Sequence, residues 1–435
     1  MFKTIIAIYV LFAVIQVLLF AKTVKSQKAG TGSKVICPAV FSMLIPGVAM
    51  SLLPVLYLES FQYRIEQILV ANLVSMICYL VMYFTGPKGV PVNTYVMLYY
   101  IYLLSIQVEF RINDLHAGVS GYAFWDAADV FAIALVSFLA GQWIVNFEIY
   151  KSKIFCIVSM AAGPVSFLLM PGRVDLATEI SKVSFVFACL FFLKTKPSGK
   201  QKGGWYVYIA LQTLVSVLCG EWGFVFLLLT AATVMVFADK EMRPTWPVMV
   251  VMDIVTGVAA FVSSPKVVSR IKIWADYVQA LKSSESYVSE QARVTERFVN
   301  AFKEVELLGT EYSLIAELPP NMGDHYILRA LFLDMGVFVC IAAVIMILCV
   351  MLSLSGHMVK DGGEVRAVKA VKTIGITTLA VCAGFNFLLL PVMGVTLPFL
   401  TPYSRELGIG YFIWSIALAL AYRQQGETKR TSKED

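Results

Sequence analysis

Long apolar stretches recur along this chain and end at charged residues or at Gly/Pro clusters. The pattern predicts thirteen spans, near 2–21, 36–58, 65–85, 95–112, 127–147, 153–170, 176–193, 205–220, 222–238, 246–263, 327–355, 370–392 and 407–422. An α-helix of about 20 apolar residues crosses a hydrocarbon layer with every backbone hydrogen bond closed internally. The expected fold class is therefore an all-α polytopic membrane protein. One long segment of mixed charge, 264–325, interrupts the series. Within it Val288, Ala292, Phe298, Val299, Phe302 and Val305 recur at helical spacing. That spacing predicts a helix that either lies on the surface or membrane interface or forms part of a lid over an extracellular site.

Composition agrees with this reading. Hydrophobic residues make up 59% and charged residues 15%, and the mean hydropathy is +0.76, whereas a soluble domain carries about 25% charge. A single water-soluble core cannot hide so much apolar surface. The eight cysteines lie in or beside apolar runs without metal-type spacing, and read as small buried hydrophobes.

The net charge of +6 sits in short loops, where it reports orientation and not nucleic-acid binding. Alternate loops are basic: Lys22 to Lys34, Lys88, Lys151 with Lys153, Lys194 to Lys202, Lys240 with Arg243, Lys360 to Lys372, and the tail after Tyr422. Placing these inside puts the N-terminus outside and the C-terminus in the cytoplasm. A cleaved signal sequence over the first span is the alternative, but the cations that follow it favour a retained helix.

Charge inside apolar spans marks either a paired structural bridge or a function. Glu179 and Lys182, at i and i+3, share one helix face and read either as a bridge or as a substrate contact. Glu221 stands at an outer junction and is placed to cap the next helix or to touch a ligand. Asp253 is an isolated acid within its span, suited to pairing with a neighbouring helix or to proton relay. Arg270-Ile-Lys272-Ile-Trp274 follows the tenth span as an interface anchor or an anion clamp. Leu318–Asp324 closes the long segment, with Asp324 suited to capping the next span. Leu389–Phe399 forms a proline-interrupted turn. His116 and His325 show no paired zinc spacing.

In this order and spacing the segments resemble the SEDS family of bacterial membrane proteins, the FtsW/RodA/SpoVE group. Ala177–Leu193 resembles the family's P-S-E-L-A-K-L helix, and Glu221–Ala238 its Q-P-D-L-G-T helix. Leu318–Gly336 is similar to the segment that carries the family's catalytic Asp, here Asp324, with Pro320 for Glu and Met322 for His. Leu389–Phe399 is similar to its L-L-P-x-T-G-I-P-L-P-F turn. The family's S-Y-G-G-S-S run is replaced by Thr401-Pro402-Tyr403-Ser404-Arg405-Glu406.

The resemblance implies a ten-helix unit over 93–425, with 264–325 as its large extracellular loop, an added three-helix front at 1–92 and a cytoplasmic tail at 426–435. It implies a glycosyltransferase in the bacterial cytoplasmic membrane that polymerises lipid II into peptidoglycan during division, elongation or sporulation. Its implied partner is a class B penicillin-binding protein acting as transpeptidase, within membrane lipid. Asp324 is the implied base; Arg270 and Lys272 would hold pyrophosphate, and a divalent cation, Mg or Mn, is a candidate cofactor. Glu179, Lys182 and Glu221 are candidate substrate contacts. The alternatives are a non-catalytic scaffold of a cell-wall complex, which the replaced motifs favour, and a lipid-linked precursor flippase or transporter, which intramembrane charges such as Asp253 and Lys182 would serve.

Overall fold

A computed structural model of the protein describes residues 1–26, 36–57, 65–117, 124–170, 174–193, 197–280, 302, 304–309, 327–355, 363–387, 389–391, 395–401 and 404–422. Among these residues every regular element is helical. The helices are α1 (Phe2–Ser26), α2 (Ile36–Tyr57), α3 (Ile65–Thr85), α4 (Val92–Ala117), α5 (Phe124–Asn146), α6 (Lys153–Leu169), α7 (Val174–Phe192) and α8 (Gly199–Leu218). They continue as α9 (Trp222–Ala238), α10 (Trp246–Ser263), α11 (Pro265–Ala280), α12 (Ile327–Met335), α13 (Val337–Ser353), α14 (Gly363–Asn386) and α15 (Ser404–Tyr422). Phe2–Val24, Ile68–Thr85, Arg243–Ser263 and Glu364–Asn386 are each long and apolar enough to cross a membrane, and seven further stretches are apolar over 10–17 described residues. The protein is a polytopic all-α membrane protein.

Each expected span contains a helix, with two differences. The run 327–355 is not one helix: it divides into α12 and α13 at Gly336, whose φ is 89°. The residue before α13 has no side chain to cap it. Instead Glu306 O and Leu307 O accept from Val337 N (3.4 Å) and Phe338 N (3.2 Å). A Cβ at Gly336 would stand 2.2 Å from Gly309 N, so only glycine fits this crossing. The second difference is α11, which extends the helical chain into the segment expected to be a loop.

Packing inverts the habit of soluble proteins. Helix α4 is buried from Val92 to Val108 although it carries Asn93, Thr94, Tyr95, Tyr99, Tyr100 and Tyr102. Those polar atoms tie the front helices in: Tyr9 Oη donates to Tyr100 O (3.0 Å), Asn93 Nδ2 to Gln16 Oε1 (2.6 Å) and Gln107 Nε2 to Met50 O (2.8 Å). Tyr79 of α3 bonds Tyr411 of α15 through their hydroxyls (2.7 Å). In contrast α10 exposes Val251, Ile254, Val255, Val258, Phe261 and Val262. With lipid as the solvent, apolar residues need not turn inward, and hydrogen-bonding side chains join helices instead.

Segments at four of the loops expected on one face touch one another. Lys202 Nζ donates to Glu241 O (2.6 Å), Tyr150 Oη donates to Glu364, and Arg366 reaches Asp239. At the start of the chain Phe2 is fully buried, a Cβ on Gly309 would touch its ring, and Lys3 pairs with Glu306 at 2.6 Å. The start of the chain therefore meets residues 306–309 of the long charged segment.

Candidate functional site

Helix α7 carries the site. Glu179 and Lys182 are 4% and 8% exposed, and Lys182 Nζ donates to Glu179 Oε1 one turn away. The helix is positioned by polar bonds to both neighbours: Ser184 Oγ donates to Ser159 O (2.6 Å) on α6, and Gln212 Nε2 of α8 donates to Ser181 Oγ (2.9 Å). Gly163 lets α6 approach so closely that a Cβ there would stand 2.8 Å from Gln212 Oε1 and Ser184 Oγ.

Opposite α7 lies the turn that follows α14. Thr396 Oγ1 donates to Glu179 Oε1 at 3.1 Å, so two segments singled out by sequence meet across 217 positions. The turn is fixed from behind. Cys382 Sγ donates to Val395 O (3.1 Å), and Arg329 of α12 clamps the end of α14, giving Nε to Asn386 O (2.9 Å) and Nη2 to Phe385 O (3.1 Å). A cation on the last carbonyls of a helix satisfies acceptors that have no helical partner and opposes the helix dipole. Within the turn Phe399 has φ 64°, a left-handed conformation unfavourable for a bulky residue. Its ring is held against Tyr411 (5.2 Å) and Trp414 (6.0 Å). Such strain persists where packing over-determines it, and it collects at functional sites.

Glu179, Lys182, Thr396, Phe399, Glu406 and Gly410 line one cavity of about 50 Å³. It is room for a water or two. Chemically it offers a carboxylate already hydrogen-bonded to an ammonium and a hydroxyl, with a second carboxylate nearby. Glu406 was not singled out by sequence, where it appeared only inside the run that replaces the family's S-Y-G-G-S-S. The available signal was an acid in the first turn of an apolar helix.

The other candidates lie elsewhere. Glu221 is the N-cap residue of α9 and makes no side-chain capping bond. Arg270 and Lys272 are on α11, which contributes nothing to the cavity lining, Arg270 half-buried and Lys272 exposed. Asp253 accepts from Thr233 Oγ1 of α9 at 2.8 Å, which is the helix pairing the sequence suggested. Asp324 lies outside the described residues, as do most of 281–326, the expected interface helix and His325. Among the described residues no three His, Cys, Asp or Glu side chains come together as metal ligands. Glu179 is engaged by Lys182 and Thr396, and the divalent cation expected beside Asp324 falls outside the described residues, so no step is assigned to one.

No family model matches the chain, and no curated protein matches it in sequence. Its fold is nevertheless that of a known structure. A chain of a solved peptidoglycan synthase complex, reported to show how polymerization and crosslinking are structurally coordinated, superposes with a TM-score of 0.56 at 12% identity. The match covers 78% of this chain and 99% of that one, so a shared helical unit is complete in the neighbour and part of this chain lies outside it.

Proposed function

We propose that this protein is a peptidoglycan glycosyltransferase of the SEDS type, which polymerises lipid II at the outer face of the bacterial cytoplasmic membrane. The observation that carries the reading is the meeting of the Glu179–Lys182 helix with the Val395–Phe399 turn in one cavity, on a fold shared with a peptidoglycan synthase chain. In the reaction a base accepts the proton of the acceptor sugar's hydroxyl while its oxygen attacks the donor's anomeric carbon. The anomeric bond to undecaprenyl pyrophosphate breaks in the same displacement. Asp324 is proposed as that base. Arg270 and Lys272 are proposed to neutralise the departing pyrophosphate. Glu179, Lys182 and Glu221 are proposed as substrate contacts, with residues 1–92 as an addition to a ten-helix unit and a class B penicillin-binding protein as the crosslinking partner.

A second reading, the non-catalytic scaffold, is favoured by one specific observation. Glu179 and Lys182 neutralise each other, and the cavity's volume of about 50 Å³ is far below the 300–1,000 Å³ of a ligand pocket. The deciding experiment is incubation of purified protein and its partner with lipid II, reading glycan chain length on a gel. Polymer from wild type and a loss of about 10²–10⁴ in rate for Asp324→Asn support the enzyme. Because Asn caps a helix about as well as Asp, equal rates for the two would reject Asp324 as the base, and an inert wild type would leave the scaffold.

A further inference from the structure

At the end of the bundle that carries the basic loops, a cavity of about 530 Å³ opens between the turn before α6, the end of α7 and the start of α8. Its volume falls in the range of ligand sites. Two chemistries meet in its wall. Lys151, Lys153 and Lys200 line it together with Leu190, Phe191 and Phe192. Lys151 is paired with Glu148 at 2.8 Å, and the lining acid Glu364 accepts a hydrogen bond from Tyr150. Lys153 and Lys200 have no acidic partner among the described residues. The cavity therefore presents net positive charge beside an aromatic wall. Helix α6, which supplies Lys153 and Cys156 to the lining, also exposes Ile154, Ile157 and Val158, the last two 50% and 62% exposed. In a membrane protein such a face meets acyl chains.

From this juxtaposition we infer that the cavity binds the phosphodiester headgroup of an anionic membrane phospholipid, with Lys153 and Lys200 on the phosphate and an acyl chain along the Leu190–Phe192 wall and the exposed face of α6. A free phosphate would satisfy the lysines and leave the apolar wall unused. A zwitterionic headgroup would bring its own cation against Lys153 and Lys200. Basic pockets between helices on the cytoplasmic side are suited to anionic headgroups, each nearby cation adding attraction. The inference stands apart from the glycosyltransferase proposal, because no residue is shared with the Glu179 cavity.

The test uses the full chain purified in a neutral detergent, titrated with phosphatidylglycerol or phosphatidylcholine and read by native mass spectrometry. Wild type should hold one phosphatidylglycerol about tenfold or more tighter than phosphatidylcholine, the scale of two lysines on one phosphate. Lys153→Gln/Lys200→Gln should lose that preference. Lys22→Gln/Lys88→Gln removes the same charge from exposed positions outside the cavity and should keep it. All the side chains changed are exposed, so melting temperatures should match wild type. Equal affinity for both lipids, or equal loss in both double variants, would overturn the site. Displacement of the lipid by inorganic phosphate at comparable concentration would overturn the lipid assignment.

Discussion

Two buried ion pairs serve this molecule in opposite ways. At the basic end Arg366 of α14 gives Nε to Asp239 Oδ2 (2.9 Å) and Nη2 to Oδ1 (3.3 Å), joining residues 127 positions apart, with Lys369 at 3.8 Å. Asp239 also accepts from Glu241 N (2.9 Å) and Met242 N (3.3 Å), which shapes the turn after α9. Every oxygen is used, and two helices are fastened. Glu179–Lys182 sits within one turn of α7, so the pair itself fastens nothing, and among the described residues only the bond from Thr396 leaves the helix. A buried pair is weak evidence for stability, since well-packed apolar residues often replace it without loss. The pair that joins elements has a structural reason to exist. The α7 pair reaches another element through Thr396 and faces a cavity, which is the ground for proposing it as a substrate contact.

That contrast predicts different outcomes for equivalent changes. The largest effect is expected from Glu179→Leu/Lys182→Leu: folded yield near wild type, because both charges leave together, with lipid II polymerisation falling by about 10²–10³, the scale of losing a preorganised electrostatic group. Rates unchanged on the gel assay would make the α7 pair as structural as the other. Next comes Asp239→Ala, expected to destabilise the protein by about 3 kcal/mol because Arg366 keeps a buried, uncompensated charge. Denaturant titration in detergent measures it.

The same group sets a pH dependence. Burial alone would raise the Asp239 carboxyl, but hydrogen bonding and charge from Arg366, the Glu241 N–H and Lys369 outweigh it and hold it below its usual range. Its folded pKa being the lower one, this contribution is complete above the ordinary Asp value of about 4 and is lost as pH falls below it. Asp239→Ala should lack that loss. The smallest effect separates cavity from fold: a Cβ at Gly410 meets nothing within 4 Å, so Gly410→Ala should raise stability by about 0.5–1 kcal/mol while narrowing the space beside Glu179. Reduced polymerisation in a more stable protein would show that the cavity is used.

What could be read from sequence follows the same logic. Glu179, Lys182 and Asp253 stood out because charge on an apolar background is conspicuous, and the spans because their lengths match a bilayer. Gly336 did not stand out. A glycine in an apolar run carries no sign that backbone from 306–309 will dock against it. Thr396 and Glu406 were equally silent, since their meeting with Glu179 depends on how α14 and α15 pack against α7. Hydropathy rates tyrosine-rich α4 below α10, yet gives no sign that α4 is the buried helix and α10 the exposed one. Position in the bundle is decided by partners distant in the chain.

One of those partners bears on how the protein is made. Tyr79 and Tyr411 are bonded over 332 intervening steps of sequence, and α3 leaves the ribosome long before α15. At about 5–20 residues per second the later tyrosine is synthesised roughly 20–60 s after the earlier one. Throughout that interval a hydroxyl destined for a dry interior has no mate, and Lys3 likewise waits for Glu306. Nascent chains halted before Glu306 should therefore be held by the insertion machinery as loosely associated helices, and the bundle should close only when the final hairpin arrives.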